Sequence, residues 1–180
     1  MVIGGSAGGL DIILSVLPLL RSDLPFPLIV VLHRKGRSDS NLSDLLASKT
    51  TIPVKEAEDK DKLNDHCIYI APADYHLLVE TNKTLSLDFS EKVNYSRPSI
   101  DVTFETAAEA FKTNLVCLLL SGASADGTLG LKAVKKYGGT AIVQSPHTAK
   151  VAYMPEHAIA DVKVDQIVDA PEIGILINSL

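Results

Sequence analysis

Apolar positions along the chain follow two rhythms. Short, nearly continuous apolar runs occur at Met1–Ile3, Leu28–Leu32, Leu115–Leu120 and Ala141–Gln144. Runs of this kind suit strands covered on both faces, as in a parallel sheet. Between them, apolar residues recur at helical spacing. Leu10, Ile13, Leu14 and Leu17 fall at i, i+3, i+4 and i+7 and stop at Pro18. Ile100, Phe104, Ala107, Ala108 and Phe111 form a second stripe, and Leu131, Val134 and Tyr137 a third, ended by Gly138-Gly139. Strand, helix and strand in this order predict an α/β layered domain. The middle of the chain differs: Cys67–Ile70, Leu77–Glu80 and Thr84–Phe89 read as short strands between turn residues. They predict a small antiparallel hairpin region beside the main sheet. The mixed-charge segment Glu56–Asp61 reads as a solvated loop.

Composition narrows the function without choosing it. A chain of 180 residues with 46% hydrophobic and 22% charged residues fits one globular domain with its own core. A net charge of −5, 5% aromatics and no Trp argue against a nucleic-acid binder and against aromatic stacking platforms. Cys67 and Cys117 lie in apolar runs and read as reduced thiols rather than a secreted disulfide scaffold. The opening MVIGGSAGGLDIILSVLPLL carries Asp11 and has no basic start, unlike a signal peptide. No apolar run approaches the ~20 residues of a membrane helix. A cytoplasmic protein without membrane insertion is expected. Its first strand begins at Met1, so the chain opens directly on a structural element.

Three loops offer chemistry. Gly4-Gly5-Ser6-Ala7-Gly8 follows a predicted strand, precedes a helix and fits G-x-S-x-G, the pattern that exposes a serine nucleophile at a strand-to-helix turn. Ser6 could equally cap the helix, or the glycine loop could hold a phosphate. His33 follows Leu28–Leu32 directly, at the sheet edge where a base for Ser6 would stand. Its plainer reading is a loop histidine before Arg34-Lys35-Gly36-Arg37. Asp126, in LLLSGASADGTLGL, could orient that imidazole or simply cap the helix after it. Neither glycine loop carries the lysine of a P-loop, and no His or Cys spacing suggests zinc. The order Ser, His, Asp also differs from the α/β-hydrolase order.

Taken together, the stretches VIGGSAGGL, VVLHR, KEAEDKDKL, IYIAPADYH, SRPSIDVTF, LLLSGASADGTLGLKAV, IVQSP and YMPEHAI resemble the catalytic domain of the chemotaxis protein-glutamate methylesterases, the CheB family, over essentially the full length. The resemblance implies residues 1–180 as one catalytic domain without a receiver domain. It implies a doubly wound, three-layer α/β fold with a mainly parallel sheet and an antiparallel edge hairpin. It implies a serine hydrolase removing methyl groups from γ-glutamyl methyl esters on chemoreceptor cytoplasmic helices, with glutamine deamidation as a second reaction and no cofactor. The alternative is an inactive signalling module of the same fold. Carried over by motif, Ser6 would be the nucleophile, His33 the general base and acid, and Asp126 the orienting carboxylate. Backbone N–H groups at Ala7 and Ala123 would hold the oxyanion, Ala123 standing where the family has methionine. A receiver domain or another chemotaxis signalling protein is the implied regulatory partner. The basic residues Arg34, Lys35 and Arg37 suit either steering of an acidic receptor surface or a solvated loop.

Overall fold

A computed structural model describes residues 1–34 and 41–180. Among these residues, seven strands form one sheet in the order β3-β4-β2-β1-β7-β8-β9, with every neighbouring pair parallel. The strands are β1 (Val2–Gly5), β2 (Leu28–Leu32), β3 (Val54–Glu56), β4 (Ile68–Ile70), β7 (Val116–Leu119), β8 (Thr140–Gln144) and β9 (Gln166–Val168). The remaining two, β5 (His76–Val79) and β6 (Leu85–Asp88), pair antiparallel as a separate hairpin sheet. The helices are α1 (Gly9–Val16), α2 (Leu42–Ala47), α3 (Ile100–Phe111), α4 (Thr128–Lys136), α5 (Tyr153–Asp161) and α6 (Ile173–Ser179).

Period-two alternation in the strands divides the core into two layers. Val2, Ile29, Val31, Cys117 and Leu119 point to the face covered by α3, α4, α5 and the hairpin. Ile3, Leu28, Val30, Leu32 and Leu118 point to the opposite face, under α1, α2 and α6. Helices on both faces of a parallel sheet make the three-layer, doubly wound arrangement that the apolar runs predict. The stripes on α3 and α4 bury Ile100, Phe104, Ala107, Ala108, Leu131 and Val134. Gly130 lets these two helices touch, since a Cβ there would lie 2.5 Å from Phe104 Cβ.

Two details differ from the sequence reading. Cys67–Ile70 is not part of the hairpin: as β4 it joins the main sheet between β3 and β2, and Ile68, Tyr69 and Ile70 are buried on both faces. The segment Glu56–Asp61 is ordered rather than simply solvated. Ala57 is buried, and Asp61 accepts from Lys55 Nζ at 2.9 Å and from Glu58 N at 2.8 Å. The hairpin of β5 and β6 is present beside the sheet and packs on α3.

Topology places the site. The chain leaves β1 for β2 on one side and later returns to β7 on the other. The carboxyl ends of β1, β2 and β7 therefore lie side by side at the point where strand order reverses, where open α/β sheets bind ligands. Among the described residues, no helix is long and apolar enough to cross a membrane.

Candidate active site

Ser6 follows the last residue of β1, a strand buried along its whole length. Its N–H donates to Ser121 O and its C=O accepts from Gly9 N, both at 2.9 Å. The turn into α1 takes its left-handed residue at Gly8 (φ 85), where a Cβ would strike Lys150 Cβ at 2.6 Å. Ser6 itself stays out of that region, so the strained serine of a nucleophile elbow is not what exposes its hydroxyl. The helix-capping alternative is not adopted either: the N-cap of α1 is Gly8, and no side chain caps the helix.

His33 extends the parallel ladder by one bond, its N–H donating to Gly5 O at 3.2 Å. Its side chain is 15% exposed, and ring Nε2 lies 2.7 Å from Asp126 Oδ2. Ser6 and His33 line one cavity of about 410 Å³ together with Leu10, Leu32, Arg34, Asn41, Leu42 and Leu45. No hydrogen bond joins Ser6 Oγ to His33 among the described residues. Hydrogen bonds of this kind often tighten only once substrate is bound. With Nε2 on Asp126, Nδ1 is the ring nitrogen left to serve Ser6.

Asp126 is fully buried and sits at the start of α3 rather than capping its own helix. Ile100 N donates to Oδ2 at 2.7 Å and Asp101 N to Oδ1 at 3.0 Å. Ser99 Oγ at 2.8 Å and Asn94 Nδ2 at 3.1 Å complete the donors to Oδ1. The carboxylate thus fills the unpaired N–H groups at a helix N-terminus, where the dipole also favours negative charge. Gly4 permits this approach, since a Cβ there would lie 2.4 Å from Ile100 Cγ2. Burial opposes the Asp126 charge, but the His33 hydrogen bond and the N–H groups of Ile100 and Asp101 outweigh it and hold the carboxyl well below its ordinary range.

Behind it lies a second acid. Asp101 Oδ1 accepts from Gly130 N and Oδ2 from Asn94 Nδ2, at 2.7 and 2.8 Å. Burial first, then the neighbouring Asp126 charge, push the Asp101 carboxyl up, against the Gly130 hydrogen bond. A carboxyl raised by folding binds its proton more tightly in the folded state, so its contribution to stability falls as pH rises above the ordinary carboxylate range. Asp101→Asn is expected to remove that fall. Urea unfolding at a series of pH values checks it, and an unchanged slope would refute the assignment.

The two backbone donors singled out in sequence have free N–H groups. Ala7 and Ala123 are exposed, and among the described residues neither N–H has an intramolecular acceptor. Ser121, unremarked in sequence, stitches their loops: its Oγ lies 2.7 Å from Ala7 O and accepts from Val151 N at 2.9 Å. Gly122 packs directly on the serine, where a Cβ would stand 3.0 Å from Ser6 Cβ. Sequence reading also missed Asn94, Ser99 and Asp101. A signal for them existed, because Ser99 precedes the apolar stripe of α3 and marks a helix N-terminus whose N–H groups need an acceptor.

The steering expectation needs correction at Arg34. Its side chain is only 5% exposed and its Nη1 lies 2.5 Å from Glu56 Oε1, so it braces the cavity wall instead of projecting toward a partner. Lys35 and Arg37 lie outside the described residues.

With this geometry in place, comparison with known proteins is decisive. The family model described as CheB methylesterase matches residues 1–177. The chain belongs to the CheB methylesterase family. A protein of Leptospira interrogans is 43% identical over 176 residues, covering 98% of this chain and 91% of the relative. The CheB relative from Thermotoga maritima, named protein-glutamate methylesterase/protein-glutamine glutaminase, is 36% identical over 176 residues. Against that relative the chain spans about half of its length, 51%. The crystal structure of the Thermotoga maritima CheB methylesterase catalytic domain superposes with a TM-score of 0.92 at 36% identity, covering 99% of this chain and 96% of that one.

Proposed function

We propose that this CheB-family chain, residues 1–180 acting as the catalytic domain, hydrolyses γ-glutamyl methyl esters on the cytoplasmic helices of chemoreceptors. We further propose that it deamidates receptor glutamines by the same route. The observation that carries the reading is the 2.7 Å contact between His33 Nε2 and the buried Asp126, beside the cavity that His33 shares with Ser6. Ser6 Oγ attacks the ester carbonyl and gives its proton to His33 Nδ1. Asp126 stays ionised, fixes the proton on Nε2 and stabilises the imidazolium. The Ala7 and Ala123 N–H groups receive the oxyanion, each such donor supplying about 3 kcal/mol. His33 then protonates the departing methanol, or ammonia from a glutamine, and afterwards activates the water that frees the glutamate. None of these steps calls on a cofactor. A cytoplasmic setting fits the substrate and the two free thiols, Cys67 and Cys117. A receiver domain or another chemotaxis signalling protein is the proposed regulator.

The test is to treat the protein with a fluorophosphonate probe and to assay methanol release from a methylated receptor fragment. Labelling should map to the peptide containing Ser6 and stop turnover. Turnover continuing in fully labelled protein, or a label elsewhere, would refute the reading. Gly122 offers a finer check. In Gly122→Ala the flexible end of Met154 can yield, whereas Ser6 can yield only by moving the nucleophile. Misplacement by up to an ångström costs on the order of a hundredfold in rate, so kcat should drop about tenfold or more. A Gly122→Ala enzyme with unchanged kcat would show that Ser6 is not held by this contact.

A further inference from the structure

The segment entering α3 makes a tight turn beside the acid. Val93 N donates to Ser96 O at 3.2 Å and Ser96 N to Val93 O at 2.9 Å. The two residues between them, Asn94 and Tyr95, are both left-handed, with φ of 50 and 62, the pattern of a type I′ turn. Buried His76 clamps the segment on both sides, through Glu91 O at 3.0 Å and Ser99 N at 3.2 Å. The turn is therefore held rigidly where it places one amide. Asn94 Nδ2 reaches both Asp101 Oδ2 and Asp126 Oδ1, and a carboxamide nitrogen has two hydrogens to give. Asn94 is an exposed residue, so its amide closes over the two buried carboxyl groups from the solvent side. The other donors to Oδ1, Ser99 Oγ and Asp101 N, come from the start of α3.

We propose that Asn94 is a positioning residue for the hydrolysis, its amide tying Asp126 to Asp101 and so holding the carboxylate with Oδ2 on His33. The proposal rests on the hydrolase reading above. Among the described residues, no hydrogen bond joins Asn94 to Ser6 or His33; it acts through Asp126. Its loss should lower turnover while substrate binding is spared, and the loss should disappear once Asp126 is gone.

Glycine is the informative replacement, because it suits the left-handed turn while removing the side chain that carries the amide. In Asn94→Gly, kcat for methanol release from a methylated receptor fragment should fall about tenfold, the effect of one charge-assisted hydrogen bond, with KM within about twofold. In an Asp126→Ala background, assayed with excess enzyme, the same replacement should have no effect, which is the coupling signature of a shared path. Asn94→Asp keeps the turn preference but replaces the donor to Asp126 with an acidic acceptor, and should lose more than Asn94→Gly. This second variant carries the test if the glycine variant folds poorly. Unchanged kcat in either variant, or a tenfold loss that persists without Asp126, overturns the inference alone. Hydrolysis surviving Ser6→Ala overturns the nucleophile assignment and this inference with it.

Discussion

Ser6→Ala is expected to abolish fluorophosphonate labelling and to lower methanol release by roughly ten-thousandfold to a millionfold, the range for removing the nucleophile of a Ser-His-Asp hydrolase. The same substitution should leave the melting temperature nearly unchanged. Ser6 Oγ makes no hydrogen bond among the described residues, and the turn is held by backbone groups, with Ser6 N on Ser121 O and Gly9 N on Ser6 O. Alanine keeps the Cβ that packs against Gly122. Removing an unbonded hydroxyl from a partly exposed position costs within about 0.5 kcal/mol. Activity and stability should therefore separate completely. A Ser6→Ala protein that still releases methanol at the wild-type rate would end the nucleophile assignment, and a large drop in melting temperature would contradict the structural account.

Asp126→Asn should behave in the opposite way, damaging both properties. Five donors converge on this carboxylate: His33 Nε2, Ile100 N, Asp101 N, Ser99 Oγ and Asn94 Nδ2. An amide supplies one acceptor oxygen, and its NH2 must face donors at either position. If it faces His33, the ring proton moves to Nδ1 and the base toward Ser6 is lost, an effect of about ten-thousandfold in kcat, and buried Ile100 N, which shares that oxygen, loses its acceptor. If it faces Ser99, Asn94 and Asp101, the buried donors Ser99 Oγ and Asp101 N lose their acceptor, at about 1–3 kcal/mol for each. The pH dependence is a further handle. Folding depresses the Asp126 carboxyl, so its contribution is complete above the ordinary carboxylate pKa and is lost as pH falls through the depressed value. Denaturant unfolding between about pH 5, above the ordinary carboxylate range, and about pH 2, where the depressed Asp126 carboxyl titrates, should show a steeper loss in wild type than in Asp126→Asn. Equal slopes would mean that the carboxylate is not the stabilising anion described.

Much of this could be seen in the sequence, for reasons that differ along the chain. The apolar runs of β1, β2, β7 and β8 and the stripes of α3 and α4 were plain because burial on both faces or on one stripe leaves a periodic trace. β4 was mistaken for part of the hairpin because three residues carry too little periodicity to separate a central strand from a hairpin arm. Short α2, α5 and α6 left equally faint traces. Ser6, His33 and Asp126 can be singled out in sequence because each follows a strand that topology brings to one edge. The partners of Asp126 are not singled out, since Asn94 and Ser99 reach it across 32 and 27 residues of chain, and no local pattern encodes a contact made by docking one helix end against another loop. The pairing of Arg34 is hidden for a related reason: its partner Glu56 lies on β3, an element too short to leave a pattern.

The seating of Asp126 on the end of α3 bears on how activity could be lost in descent. A copy of this domain freed from selection for hydrolysis could exchange Ser6 at almost no thermodynamic penalty, yet would still need an anion at position 126 to keep a helix end solvated in the interior. Such a copy would shed its nucleophile early and keep its aspartate long afterwards. Among related sequences, then, an aspartate at this position speaks for the architecture, and the serine, as the proposed nucleophile, is the residue that would report a working enzyme.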